Sequence, residues 1–211
     1  HSILYAADSA GRVPHLFRMD LATQRETQVL PPGKQQRVQE VLPDGRVAYL
    51  ERSGQEGFQL FQVFLTPGAS PALLLQSPLS IRGMRLSPDG RTMTYLAGLG
   101  GRFGLHVAPV SGTDQPLHAA EVGPGWSSPR WSADGRQIYY LASDDAMMTV
   151  SVQTVPSLRV VSAPEQAFKL KQSASLLEIM PDGRFLLLVH QVRADERPII
   201  VDTGAIRSTR R

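Results

Sequence analysis

The sequence predicts an all-β chain: a β-propeller of four-stranded antiparallel blades, about five of them visible, with the first and last incomplete. Three observations predict it. A Pro-Asp-Gly-Arg turn recurs at 43–46, 88–91 and 181–184, with an Ala-Asp-Gly-Arg variant at 133–136, and its aspartates stand 45, 45 and 48 residues apart. An apolar segment carrying a tyrosine recurs at Tyr5, Tyr49, Tyr95 and Tyr140, spaced 44, 46 and 45. No stretch of 11 or more residues has a helical apolar period. A period near 45 residues, holding four short segments, is the size of one propeller blade.

Each element follows from local chemistry. Proline is pre-set for the second position of a type I turn, aspartate bonds its own backbone at the next, and glycine takes the left-handed conformation that closes a bulged hairpin. Ahead of each turn a first strand is expected, at 38–42, 81–86, 128–131 and 176–180. After it comes the short apolar second strand, at 47–50, 92–97, 137–142 and 185–189, with 3–7 matching although no turn precedes it. In 185–189 Leu188 is expected at the tyrosine position. Third strands follow at 15–21, 58–65, 103–110, 147–152 and 198–202, and more polar fourth strands at 27–30, 72–76, 116–119 and somewhere in 158–168. The blades run about 1–31, 37–76, 81–120, 127–170 and 175–203, and a basic tail occupies 204–211. Trp131 stands three residues before Asp134, where Val41, Leu86 and Ile179 stand in other blades, and is expected in the core.

Composition excludes several functions. There is no cysteine, so no disulfide, thiol nucleophile or cysteine-bound metal. No apolar run approaches the roughly 18 residues of a membrane span, so no direct membrane insertion is expected of this segment. The net charge of +3 is matched by Arg207, Arg210 and Arg211 in the tail, and four other arginines are spread one per turn, so no nucleic-acid partner is expected. There is no Gly-x-Ser-x-Gly elbow, no His-Glu-x-x-His and no phosphate-cradling glycine loop with a lysine, so no catalytic residue is assigned. His106 and His118 fall on the third and fourth strands of one blade and can approach one another. Without a carboxylate such a pair reads as strand decoration, so neither a metal nor a cofactor is assigned. Asp144 and Asp145 read as an exposed acidic hairpin.

The segments 85–96 and 129–141, with the third strand and turn at 16–23, resemble the WD-repeat-like propeller repeats of the bacterial TolB-like group. The resemblance covers essentially the whole chain and implies six or seven blades, an extracytoplasmic location (periplasmic or membrane-linked) and a protein or peptide partner. Similar arrays also stand behind membrane-bound kinases and in front of prolyl-oligopeptidase-type hydrolases. The expectation is a non-enzymatic binding module, the sensor or scaffold part of a larger protein. The alternative is the propeller domain of a serine hydrolase whose catalytic domain lies elsewhere. Loops on a rigid scaffold carry function, so Arg37, Arg82, Trp126 and Ser127, which enter first strands from one side, are the expected partner contacts. The count of three complete blades between two incomplete ones predicts a segment of a larger propeller, able to self-associate through its end blades; a compact five-bladed ring is the alternative.

Overall fold

The computed structural model describes residues 2–7, 14–30, 34–53, 57–66, 68–111, 115–123, 128–142, 144–189 and 201–202. Among them are five antiparallel sheets and no helix. The first holds Ser2–Ala7 (β1), His15–Asp20 (β2) and Glu26–Gln28 (β3). The second holds Gln36–Val41 (β4), Arg46–Ser53 (β5), Gly57–Phe64 (β6) and Ala72–Leu75 (β7). The third holds Ser80–Leu86 (β8), Thr92–Leu99 (β9), Arg102–Pro109 (β10) and Leu117–Val122 (β11). The fourth holds Arg130–Trp131 (β12), Gln137–Leu141 (β13), Ala146–Gln153 (β14), Arg159–Val160 (β15) and Glu165–Lys169 (β16). The fifth holds Ala174–Ile179 (β17), Phe185–Val189 (β18) and Val201–Asp202 (β19). These are propeller blades, each a meander of strands adjacent in sequence. The chain divides into two compact units, 1–82 and 83–211.

All four turns close as their residues demand. Gly45, Gly90, Gly135 and Gly183 have φ of 84°, 69°, 68° and 82°, and each amide donates to the carbonyl three residues back at 2.8–2.9 Å. Each aspartate accepts from the arginine amide two residues on, at 3.1–3.2 Å. The turns differ in length by one residue. In two of them Leu42 and Met180 bond to Arg46 and Arg184, whereas Ser87 and Ser132 bond one residue further on, to Thr92 and Gln137. The serine hydroxyls fill the longer turns, donating to Asp89 and Asp134 at 2.6 Å while accepting from the Thr92 and Gln137 amides. These hydroxyls, and next the arginine amides, hold Asp89 and Asp134 below the usual carboxylate range. In the shorter turns an arginine side chain takes the serine's place on Asp44 and Asp182.

Gly90→Val forces a β-branched residue into the left-handed region, at about 1–2 kcal/mol. The unfolding midpoint should fall by roughly 2–8 °C. An unchanged midpoint in a thermal melt would remove the turn from the fold's determinants.

Two sequence expectations shift by a residue or a rotation. The short fifth-blade turn sets Leu187, not Leu188, at the tyrosine position, because Leu187 pairs with Leu176 as Tyr49 pairs with Val38. Trp131 is buried as expected, yet Val41 at the equivalent position is 53% exposed. The fourth strand sought in 158–168 is two pieces, β15 and β16, both paired to β14 along one edge and interrupted at 161–164. Of the third strand expected at 198–202 only Val201–Asp202 lies within the described residues.

The cores lie between neighbouring blades. In the first unit Leu16, Leu30, Val47, Tyr49 and Val63 pack together. In the second, Leu105, Val107, Trp131, Ile138, Tyr140 and Val150 join the third and fourth blades. Tyr49, Tyr95 and Tyr140 are almost wholly buried, and burial pushes the Tyr95 hydroxyl up to about 12 and raises Tyr140. Burial, then the charge of Glu51, raises Tyr49 as well.

Candidate functional site

Two of the expected contacts lie on the first strands of consecutive blades. Arg37 on β4 and Arg82 on β8 each stand seven residues before a turn aspartate, so the repeat places them equivalently in consecutive blades. Both belong to the first unit. Burial, and then the Arg37 guanidinium beside it, lowers the Arg82 pKa. Arg37 is exposed and lies over the Phe58 ring, 5.0 Å from its centroid. A flat guanidinium held by a ring face keeps its donors pointed outward. Arginines at equivalent positions of consecutive blades are of the chemistry that meets a carboxylate or another anion. Trp126 and Ser127, the other two expected contacts, lie outside the described residues.

In the second unit the first strands approach closely. Gly83 has φ of 58°, and a Cβ there would stand 3.0 Å from the Ser128 hydroxyl, so β8 admits the entry to β12 only as glycine. Arg130 on β12 is buried, donates to the Pro129 carbonyl at 3.0 Å, and lies 3.6 Å from the Glu178 carboxylate on β17. This arginine ties the fourth blade to the fifth. The sequence offered no reason to single it out, since Glu40 stands at the same distance from its turn aspartate in the second blade.

The second strand pairs an aromatic with the third in successive blades. Tyr5 stacks on Phe17 at 5.9 Å, Tyr49 on Phe61 at 5.8 Å and Tyr95 on His106 at 5.5 Å, each pair directly opposite in register. In the fourth blade Tyr140 faces Met148. His106 thus occupies an aromatic position, and it makes an edge contact with His118 at 5.3 Å. Burial first, then His118, lowers the His106 pKa, against the pull of Glu121. Asp144 of the acidic hairpin is exposed and pairs with Lys169 at 3.4 Å.

Among the described residues, grooves of about 930, 740 and 620 Å³ run along turns and strand ends, and none of these is lined by Arg37 or Arg82. The largest lies in the first unit, where Arg18 and Arg25 border Leu30, Leu65, Ala69 and Pro71. Among the described residues no three His, Asp or Glu side chains form a ready metal centre, and no helix is long and apolar enough to cross a membrane.

No family model and no curated protein matches the chain. Solved structures do. TolB from Acinetobacter baumannii aligns at TM-score 0.59 and 19% identity over 80% of this chain and 41% of its own length. A putative TolB from Agrobacterium tumefaciens aligns at 0.62 and 21% over 92% of this chain and 69% of its own. A puromycin-hydrolyzing peptidase from Mycobacterium tuberculosis aligns at 0.59 and 14% over 88% of this chain and 35% of its own. The chain thus spans less than half of the Acinetobacter TolB and about a third of the peptidase.

Proposed function

We propose, from the TolB-like β-propeller fold of this chain, that it is a non-enzymatic binding module for a protein or peptide. Its place is the sensor or scaffold part of a larger extracytoplasmic or membrane-linked bacterial protein. The observation that supports the reading is the equivalence of Arg37 and Arg82 on the first strands of consecutive blades, with Arg37 exposed and lying over the Phe58 ring. Like charges at positions that the repeat could have filled otherwise suit an acidic side chain or a chain-terminal carboxylate. Trp126 and Ser127, which the sequence puts in the connection into a first strand, complete the proposed contact set.

A displayed library of random peptides tests this. Selected peptides should be enriched in Asp and Glu. Their affinity for the Arg37→Glu/Arg82→Glu variant should fall by about 10–100-fold, the worth of one or two lost charge-assisted bonds. Peptides without acidic enrichment, or binding indifferent to the double reversal, would remove the arginine pair from the function.

A second reading, the propeller domain of a prolyl-oligopeptidase-type hydrolase, is favoured by the likeness to the mycobacterial peptidase. A Gly-x-Ser-x-Gly domain in the flanking sequence would select it.

A further inference from the structure

The pair that sequence reading set aside for want of a carboxylate has one. His106 on β10 and His118 on β11 are direct cross-strand partners, and the His118 Nε2 lies 3.1 Å from Glu121 Oε1. Residues three apart on a strand ordinarily face opposite ways. Here the register shifts between Leu105 and His106, so that Glu121 pairs with Gly104, Ala120 with Leu105 and His118 with His106. Ala119 is the extra residue of a bulge. The bulge puts Gly104, His106, His118 and Glu121 on one face.

Gly104 supplies the room. A Cβ built on it would stand 2.9 Å from His118 Nε2 and 3.1 Å from His106 Nε2, so both nitrogens reach into the space over this one glycine. The same position is not histidine in the neighbouring blades, where Phe61 faces Leu73 and Met148 faces Gln166. Blade packing therefore does not require an imidazole on either strand. Tyr95 backs the His106 ring at 5.5 Å and fixes its plane, while His118 and Glu121 are open to solvent.

We propose that His106 and His118 form a two-histidine chelate, through their Nε2 atoms, for a divalent transition metal of the zinc, nickel or copper class, with the Glu121 carboxylate alongside to offset the charge of the ion. Cross-strand partners have Cβ atoms about 4.5–5.5 Å apart, a span that one ion bonded to two imidazole nitrogens at about 2.0–2.1 Å can bridge. Imidazole donors suit these three metals over magnesium or calcium. Solvent or a ligand group fills the remaining coordination positions, since only two side chains are first ligands. Glu121 Oε1 stands on the same Nε2 that would take the metal, so it gives up that hydrogen bond on binding and acts through its charge beside the ion. The ion would fasten the outer strand β11 to β10 across the bulge, where the ladder is irregular.

Isothermal titration of the full 211-residue chain with Zn²⁺, and separately with Ni²⁺, tests the site. One equivalent should bind, and His118→Gln, a half-exposed position, should abolish it. Glu121→Gln should weaken it, because the negative charge beside the ion is removed. Gly104→Ala removes no donor but crowds both nitrogens and should also weaken it. Zn²⁺ should shift the ring resonances of His106 and His118 and spare those of the other histidines, which decides the matter on the unaltered chain. Absence of binding by the wild type, full binding by His118→Gln, or shifts confined to His1, His15 or His190 would overturn the proposal.

Discussion

Trp131→Ala is expected to lower the unfolding midpoint by roughly 6–20 °C, the consequence of a loss of about 3–5 kcal/mol. The indole is 7% exposed and packs in the core shared by the third and fourth blades. Its Nε1–H donates to the Arg85 carbonyl on β8 at 3.3 Å, so one side chain joins the first strands of two blades. Truncation to alanine opens a cavity there and leaves a carbonyl without that donor. Trp131→Phe keeps most of the buried area and loses only the hydrogen bond, so it should cost clearly less. Differential scanning calorimetry of both variants measures the gap. Equal midpoints for alanine and phenylalanine would mean that the ring does not pack as described.

Gly98→Ala should be nearly as damaging for a different reason. The residue lies near the end of β9, opposite Phe103 across the hairpin that turns through Gly100 and Gly101. Those two glycines, at φ of 58° and 83°, make the two-residue primed turn that matches strand twist. The hairpin is so tight that a Cβ on Gly98 would run into the Arg102 carbonyl oxygen and approach the Phe103 Cα to 2.8 Å. Backbone cannot rotate away as a side chain can, so the ladder must open. A cost of about 3 kcal/mol is expected from the upper range of overpacking, or roughly 6–12 °C in Tm. Hydrogen exchange should report it as faster exchange of the β9 and β10 amides. Protection equal to wild type would contradict the geometry.

What the sequence revealed and what it hid divide along physical lines. The turns were legible because aspartate and glycine at fixed offsets leave the backbone little choice, and the buried second strands because their apolar runs are bounded by those turns. Trp131 was legible as core for the same reason. The outer strand of the fourth blade was not. Edge residues such as Glu165 and Gln166 carry no burial signal, and pairing there is settled by β14 rather than by the segment itself. Leu187 was hidden by a turn one residue shorter than its neighbours. At the candidate site, the equivalence of Arg37 and Arg82 could be counted from the repeat, whereas their mutual influence needed the fold. Glu121 was invisible as a partner of His118 because a bulge reverses the facing of a strand, and nothing in the residues 117–122 marks where the extra one sits.

Strands that hydrogen-bond are neighbours in the chain throughout the described residues, with β16 merely continuing the line that β15 begins. No ladder among the described residues includes a segment from a distant part of the polypeptide. On the ribosome each one can therefore close as soon as its own strands have left the exit tunnel, before the next is made. Synthesis then lays down the array in order. A pause in translation between blades would be harmless, whereas a pause inside one, after the second strand, would expose an unpaired edge for as long as it lasted.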